Sequence, residues 1–271
     1  MLLSVQRQLV LFFVATQFLT RLPTPALREF QPLWLSQSAR YFPLVGVLIG
    51  LSNVGIWWLF GHWLPATVSV GLMLAASLLT TGAFHEDGFA DTCDALGGGT
   101  TTDRVLAIMK DSRIGAYGAI GIFIMLSLKW VTLVAIPAAE LPLLVIGAHM
   151  FSRWCASGLI WALPYVRIDG DAKARPFAGR LRGGEWVLSG AIGILGIVPA
   201  FACVHLSGDF EARAVGCAVG AAASTAVIVA AYFRRRIGGY TGDCLGAVQQ
   251  LTELAFLLGG LAVLNPARRF G

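Results

Sequence analysis

Seven stretches of this chain run for about 20 residues with almost no charge, at 41–64, 66–84, 114–139, 141–164, 186–206, 214–233 and 245–264. A hydrocarbon core about 30 Å thick takes roughly 20 residues of helix to cross. Lipid offers no water to satisfy backbone N–H and C=O groups, so a spanning segment must bond internally, as a helix does. Only 13% of the residues are charged, about half of what a soluble domain carries. These runs predict an all-α, polytopic integral membrane bundle with about six to eight transmembrane or re-entrant helices. The whole of 1–271 is read as one membrane-embedded domain.

The runs are rich in Gly and Ala, which lets helix backbones approach closely where lipid supplies no hydrophobic drive. An earlier apolar stretch, 9–19, is too short to span and is expected to be interfacial or re-entrant. It lacks the small-residue cleavage pattern of a signal peptide, so it belongs to the mature chain. Loops 21–40, 85–113, 165–185 and 234–243 hold fourteen of the twenty Lys and Arg residues. All four fall on one side under this parse, and cytoplasmic loops retain basic residues. The expected setting is therefore a multi-pass protein of the cell inner membrane with those loops in the cytoplasm. Arg268 and Arg269 fit poorly, because seven spans would put them outside.

Five cysteines, Cys93, Cys155, Cys203, Cys217 and Cys244, show no C-x-x-C spacing and read as free packing thiols, with neither a disulfide framework nor a zinc site. The net charge of +5 is mainly a topology signal. The basic residues are spread along loops without a reading motif, so nucleic acid is not an expected partner.

Against this background the stretch FHEDGFADTCDALGGG, at 84–99, is unusual: a His, a Glu and three Asp fall within ten residues beside a span. On a helix Asp87, Asp91 and Asp94 stand at i, i+4 and i+7, within about 60° of one another. Carboxylates so placed repel and raise one another's pKa unless a cation lies between them. Oxygen ligands favour Mg²⁺, Mn²⁺ or Ca²⁺ over zinc, and Mg²⁺ suits a site that leaves positions for water and phosphate. Glu86 lies about 100° from Asp87 and stays outside this set. The glycines at 97–99 are expected to end the helix, and Thr100 with Asp103 to open a second short one over TTDRVLAIMK.

Two more polar islands are expected to meet the first. IMKDSRIGAYGAIG carries Lys110, Asp111 and Arg113. RRRIGGYTGDCLGA joins Arg234, Arg235 and Arg236 to a turn containing Gly242 and Asp243. Arg and Lys neutralise diphosphate oxygens, and Gly-rich backbone approaches them closely. Arg153, Gln249, Gln250 and Glu253 lie inside apolar runs, where lipid contact is costly, so they should face the bundle interior.

FLTRLPTP, YFPLVGVLIG, FHEDGFADTCDALGGG, IMKDSRIGAYG and GGYTGDCLGA, in this order along nearly the whole chain, resemble the cobalamin synthase family, the adenosylcobinamide-GDP ribazoletransferases. Glu86 stands where the family often has an aliphatic residue. The resemblance implies an Mg²⁺-dependent membrane transferase that joins adenosylcobinamide-GDP to α-ribazole or its 5′-phosphate and releases GMP. By that resemblance Asp87, Asp91 and Asp94 would hold the metal, with Asp111 completing the shell or orienting Arg113. Lys110, Arg113, Arg234, Arg235, Gly242 and Asp243 would contact the phosphates. His85 or a metal-free carboxylate such as Asp94 would take the hydroxyl proton. Arg21 is either a substrate contact or an anchor. A complex with other enzymes of the late corrinoid pathway is left open.

Rival readings remain. A CDP-alcohol phosphotransferase-like enzyme also spaces aspartates after D-G, but wants A-R where this chain has Ala90 and Asp91. A cation transporter would line its path with carboxylates, yet here they gather at one face without paired inverted repeats. A scaffold would leave the cluster unexplained.

Overall fold

A computed structural model of the chain describes residues 5–26, 31–166, 181–203 and 209–264. These residues form α1 (Val5–Leu19), α2 (Pro32–Ser38), α3 (Phe42–Gly61), α4 (Ala66–Thr81), α5 (Phe84–Gly98), α6 (Thr102–Met109), α7 (Ala116–Ala135), α8 (Leu141–Ala162), α9 (Gly183–Cys203), α10 (Asp209–Ile237) and α11 (Gly242–Leu264). A single turn of 3₁₀ helix, Ala39–Tyr41, joins α2 to α3. The bundle is all-α as expected: among the described residues the one β feature is an isolated bridge between Tyr165 and Tyr240.

Five helical segments are long and apolar enough to span: Leu33–Gly61, Ala116–Ala135, Leu141–Ala162, Ala212–Ile237 and Gly242–Leu264. The expected run 186–206 falls in α9, whose apolar part within the described residues, Gly183–Val198, is shorter than a span. Arg268 and Arg269 lie outside the described residues. The run 66–84 does not stay straight into the carboxylates. It breaks after Thr81, and α5 leaves α4 at 88°.

The cause of the break is local. Gly82 and Ala83 both adopt left-handed backbone, with φ of 66° and 56°, and at Ala83 this conformation costs roughly 1 kcal/mol. Arg21 holds the corner: its N–H donates to Thr80 O at 2.7 Å, and a Cβ on Gly82 would fall 2.1 Å from its Nε. Arg21 is thus seated at the α4–α5 corner, with its side chain exposed. Because α5 turns across the direction of α4, its carboxylates lie crosswise to that helix, and the pair is a broken span or a re-entrant loop.

The most buried spans are α8 and α11. Small residues allow the helices to close on them. A Cβ on Gly46 would lie 2.3 Å from His149 O, and one on Gly259 would lie 2.7 Å from Cys217 O. Cys93, Cys155, Cys217 and Cys244 are free thiols, as expected.

Polar groups inside the bundle satisfy one another. Glu253, 5% exposed, takes Lys129 Nζ at 2.6 Å and His149 Nδ1 at 3.0 Å, with Arg153 Nη1 at 3.6 Å. Gln249 Nε2 donates to the same carboxylate. Lys129 also donates to Gln250 Oε1 at 2.7 Å, and Gln250 Nε2 to Glu86 Oε1 at 2.8 Å. Asn53 of α3 shares a hydrogen bond with His149 Nε2 at 2.8 Å. Arg153, Gln249, Gln250 and Glu253 therefore face inward, as the cost of lipid contact requires. Five helices, α3, α5, α7, α8 and α11, are stitched through this cluster.

Charge balance makes the network vulnerable to loss of one partner. Lys129→Met is expected to destabilise the folded protein by about 2 kcal/mol or more, since Glu253 and Gln250 each lose a donor. Thermal unfolding in detergent checks this, and an unchanged midpoint would mean that the pair contributes nothing net.

Candidate active site where two helices cross

The helices α5 and α11 meet with almost nothing between their backbones. A Cβ on Gly88 would stand 3.0 Å from both the Cα and the O of Asp243, and one on Gly246 would stand 2.8 Å from His85 O. This contact lays the first turn of α11 against the first turns of α5. The turn before α11 is fixed as well. Gly238 has φ of 75°, a Cβ on Gly239 would fall 2.1 Å from Pro164 O, Tyr240 N donates to Pro164 O at 3.0 Å, and Val166 N donates to Tyr240 O at 2.9 Å. Thr241 Oγ1 accepts from Cys244 N at 3.4 Å. The glycines of GGYTGD thus serve a tight turn and a close backbone approach here.

Two cavities flank this helix start. One, of about 320 Å³, is lined by Leu106, Met109, Lys110, Tyr165, Val166 and Thr241. The other, of about 220 Å³, has Phe18, Phe42, Phe84, His85, Asp87 and Arg153 among its walls. Gly242 and Asp243 line both. The two cavities therefore draw on all three expected islands, through FHEDG, IMK and TGD, and the second adds Phe18 and Leu19 of FLTRLPTP.

The carboxylates have separate roles. Asp87 is exposed and Asp91 half-buried. Burial first, then the charges of Asp243, Asp87 and Asp94, push the Asp91 carboxyl up to about 6. The i, i+4, i+7 spacing thus sets like charges close together on α5, joined by Asp243 from α11. Asp94 is engaged differently: it accepts from Gly115 N at 2.7 Å and Gly118 N at 2.8 Å. These are free donors at the start of α7, so Asp94 caps that helix from outside it and favours its positive dipole end. A Cβ on either glycine would lie within 2.4 Å of the Asp94 carboxylate, which is the reason for small residues in RIGAYG.

Asp111 and Arg113 form an ion pair with each other, 2.6 Å at the shortest, on the surface. Hydrogen bonds from Arg113 hold the Asp111 carboxyl down to about 2. Asp111 thus orients Arg113, and neither lines the two cavities. Arg234 and Arg235 are exposed at the end of α10 and also line neither cavity. Arg236 is tied down, donating to Gly99 O at 2.7 Å. Of the expected phosphate contacts Lys110, Arg113, Arg234 and Arg235, it is Lys110 that lines a cavity with Asp243. His85 is buried, with its ring 5.4 Å from that of Phe84, and lines the second cavity.

Among the described residues no three His, Cys, Asp or Glu side chains stand ready-made to hold a metal. Mg²⁺ needs no such cage, since it takes one or two carboxylates and completes its shell with water and phosphate. Hard oxygen donors fit such an ion at Asp87 and Asp91 of α5 and at Asp243, which the Gly88 contact brings beside them. They fit less well at Asp94, whose oxygens already serve α7, and at Asp111, which serves Arg113.

The glycines at 97–99 end α5 as expected, at Gly98 with Gly99 as its cap, and the difference lies in the start of α6. The next helix is capped by Thr101, whose Oγ1 accepts from Arg104 N at 3.3 Å, and not by Thr100. Gly99 has extended φ of −96°; it is small because a Cβ would meet Val105 at 2.5 Å. Sequence reasoning missed Lys129, His149, Phe18 and Phe42. A lysine in an apolar run was a readable signal, whereas nothing local marks an aromatic that happens to line a cavity.

Comparison with known proteins followed the same residues. The family profile described as cobalamin-5-phosphate synthase matches residues 11–262. A protein of Leptothrix cholodnii named adenosylcobinamide-GDP ribazoletransferase is 42% identical over 256 residues, covering 93% of this chain and 95% of its own. Proteins of the same name from Shewanella frigidimarina, 42% identical over 264 residues with 95% and 96% covered, and Ralstonia pickettii, 41% identical over 259 residues with 93% and 95% covered, are similar over the same extent. No solved structure matches.

If the backbone contact at Gly88 positions the cluster, Gly88→Ala should push α5 from α11 by a few tenths of an ångström. Turnover is expected to fall at least about tenfold, while the unfolding midpoint in detergent changes little. Wild-type turnover in this variant would show that the crossing distance does not matter to the chemistry.

Proposed function

The chain belongs to the cobalamin-5-phosphate synthase family, and on that premise we propose that it is an adenosylcobinamide-GDP ribazoletransferase working at the α5–α11 crossing. The observation that carries this reading is Asp243, shared by two cavities and coupled to the carboxylates of α5. Two substrates can then meet across one anionic cluster. The reaction is a single transfer. A ribose hydroxyl of α-ribazole, or of its 5′-phosphate, attacks the phosphorus that carries the cobinamide. An O–P bond forms, the bond to the GMP oxygen breaks, and GMP leaves with that electron pair.

Each side chain has a part in this scheme. His85, in the second cavity, accepts the hydroxyl proton at a ring nitrogen. Lys110, in the first, neutralises a phosphate oxygen of the leaving group. Asp87, Asp91 and Asp243 hold Mg²⁺, which when bound supplies positive charge to the diphosphate oxygens. Asp94 positions α5 on α7, and Asp111 orients Arg113 toward whatever anion approaches that surface. The basic loops support a cytoplasmic orientation in the inner membrane, which would give the site direct access to soluble nucleotides.

The test is incubation of purified protein with adenosylcobinamide-GDP, α-ribazole and Mg²⁺, followed by chromatography for GMP and the joined corrinoid. EDTA should abolish GMP release and Mg²⁺ restore it, with Zn²⁺ restoring little. Asp91→Asn should fold, insert and lose at least about a hundredfold in turnover. Full activity after exhaustive chelation would remove the metal from the scheme, and no GMP from the wild type under any condition would remove the transferase.

A further inference from the structure

The second cavity has walls of two kinds. Phe18 of α1, Phe42 of α3 and Phe84 of α5 form an aromatic cluster: the rings of Phe18 and Phe42 stack at 5.8 Å and 10°, and Phe84 meets Phe18 edge-on at 5.1 Å. The polar lining is His85, Asp87, Asp243 and Arg153, with the His85 ring 5.4 Å from that of Phe84. Aromatic rings beside an imidazole and a guanidinium suit a ligand that carries both a flat ring and oxygens.

We propose that this cavity seats the nucleoside acceptor, with its bicyclic base against Phe18 and its neighbouring rings and its ribose hydroxyl toward His85. The assignment rests on the transferase reading above. The other substrate also carries a flat base, guanine, and the placement of His85 decides between them. The hydroxyl that loses a proton belongs to the acceptor, and His85 lines this cavity and not the one that holds Lys110. The diphosphate and its guanosine then occupy the Lys110 side, and the reacting phosphorus lies near Asp243, which both cavities share.

The experiment is a split of Michaelis constants in detergent-solubilised protein, with each substrate varied in turn. Loss of one stacking ring typically weakens binding of a base by about tenfold. Phe18→Ala should therefore raise KM for α-ribazole about tenfold and leave KM for adenosylcobinamide-GDP unchanged, and Phe18→Tyr, which keeps the ring, should recover most of the loss. Ala156→Leu, which fills the cavity from α8, should give the same split and covers the case in which Phe18→Ala does not fold. A rise in KM for adenosylcobinamide-GDP alone would put guanine in the cavity and overturn the proposal. So would wild-type values for both substrates in both variants, which would leave the cavity to lipid. Equilibrium dialysis with α-ribazole alone makes the same comparison without turnover: retained binding that Phe18→Ala weakens supports the pocket even if GMP is never released, which is the failure belonging to the transferase reading.

Discussion

The closeness of α5 to α11 is the constraint from which most of this architecture follows. Gly88 and Gly246 remove the side chains that would keep two helices 8–10 Å apart, and the gap is filled by backbone. Only at that separation can Asp243 add its charge to those of Asp87 and Asp91. The same contact fixes the rotation of α5. With Gly88 against α11, Glu86 reaches Gln250 inside the bundle, while Asp87 opens on a cavity. Neighbouring residues thus go to opposite fates because one position between α5 and α11 has no room for a methyl group.

The interior network solves a different problem. A lone glutamate at the depth of Glu253 would be untenable as an anion. It is surrounded by Lys129, His149, Arg153 and Gln249 from three helices, so each helix has a polar reason to keep its register. Hydrophobic packing alone specifies register weakly in lipid, where every apolar face is equally content. The polar cluster supplies that specificity next to the site, and Arg153 belongs to both.

Much of this was readable in the sequence, for identifiable reasons. Apolar runs gave the class of fold because span length is a property of the bilayer, and buried Arg153, Gln249, Gln250 and Glu253 followed from the same physics. The i, i+4, i+7 aspartates were legible because helical periodicity is local. Long-range geometry was not. Nothing near Asp94 announces that its carboxylate will cap α7, since the donors lie 21 and 24 residues on. Where the triple arginine would sit was equally hidden: it ends α10 with Arg234 and Arg235 exposed and Arg236 donating to Gly99 O. The break has a local signal in Gly82, a glycine that takes the left-handed conformation, but the packing of Arg21 on that corner, some 60 residues earlier, is invisible to any window of sequence.

The Asp94 cap has a mechanical side. α7 presents Ile120, Phe123, Ile124 and Val131 outward, and in a bilayer such a helix adjusts its tilt to the thickness around it. α5 is braced against α7 at both ends: by Asp94 on Gly115 and Gly118, and by Glu86 through Gln250 to Lys129. Neither strut is a flexible loop. A change in the lean of α7 would therefore reach the carboxylate helix as a rigid displacement, through struts that touch no lipid themselves.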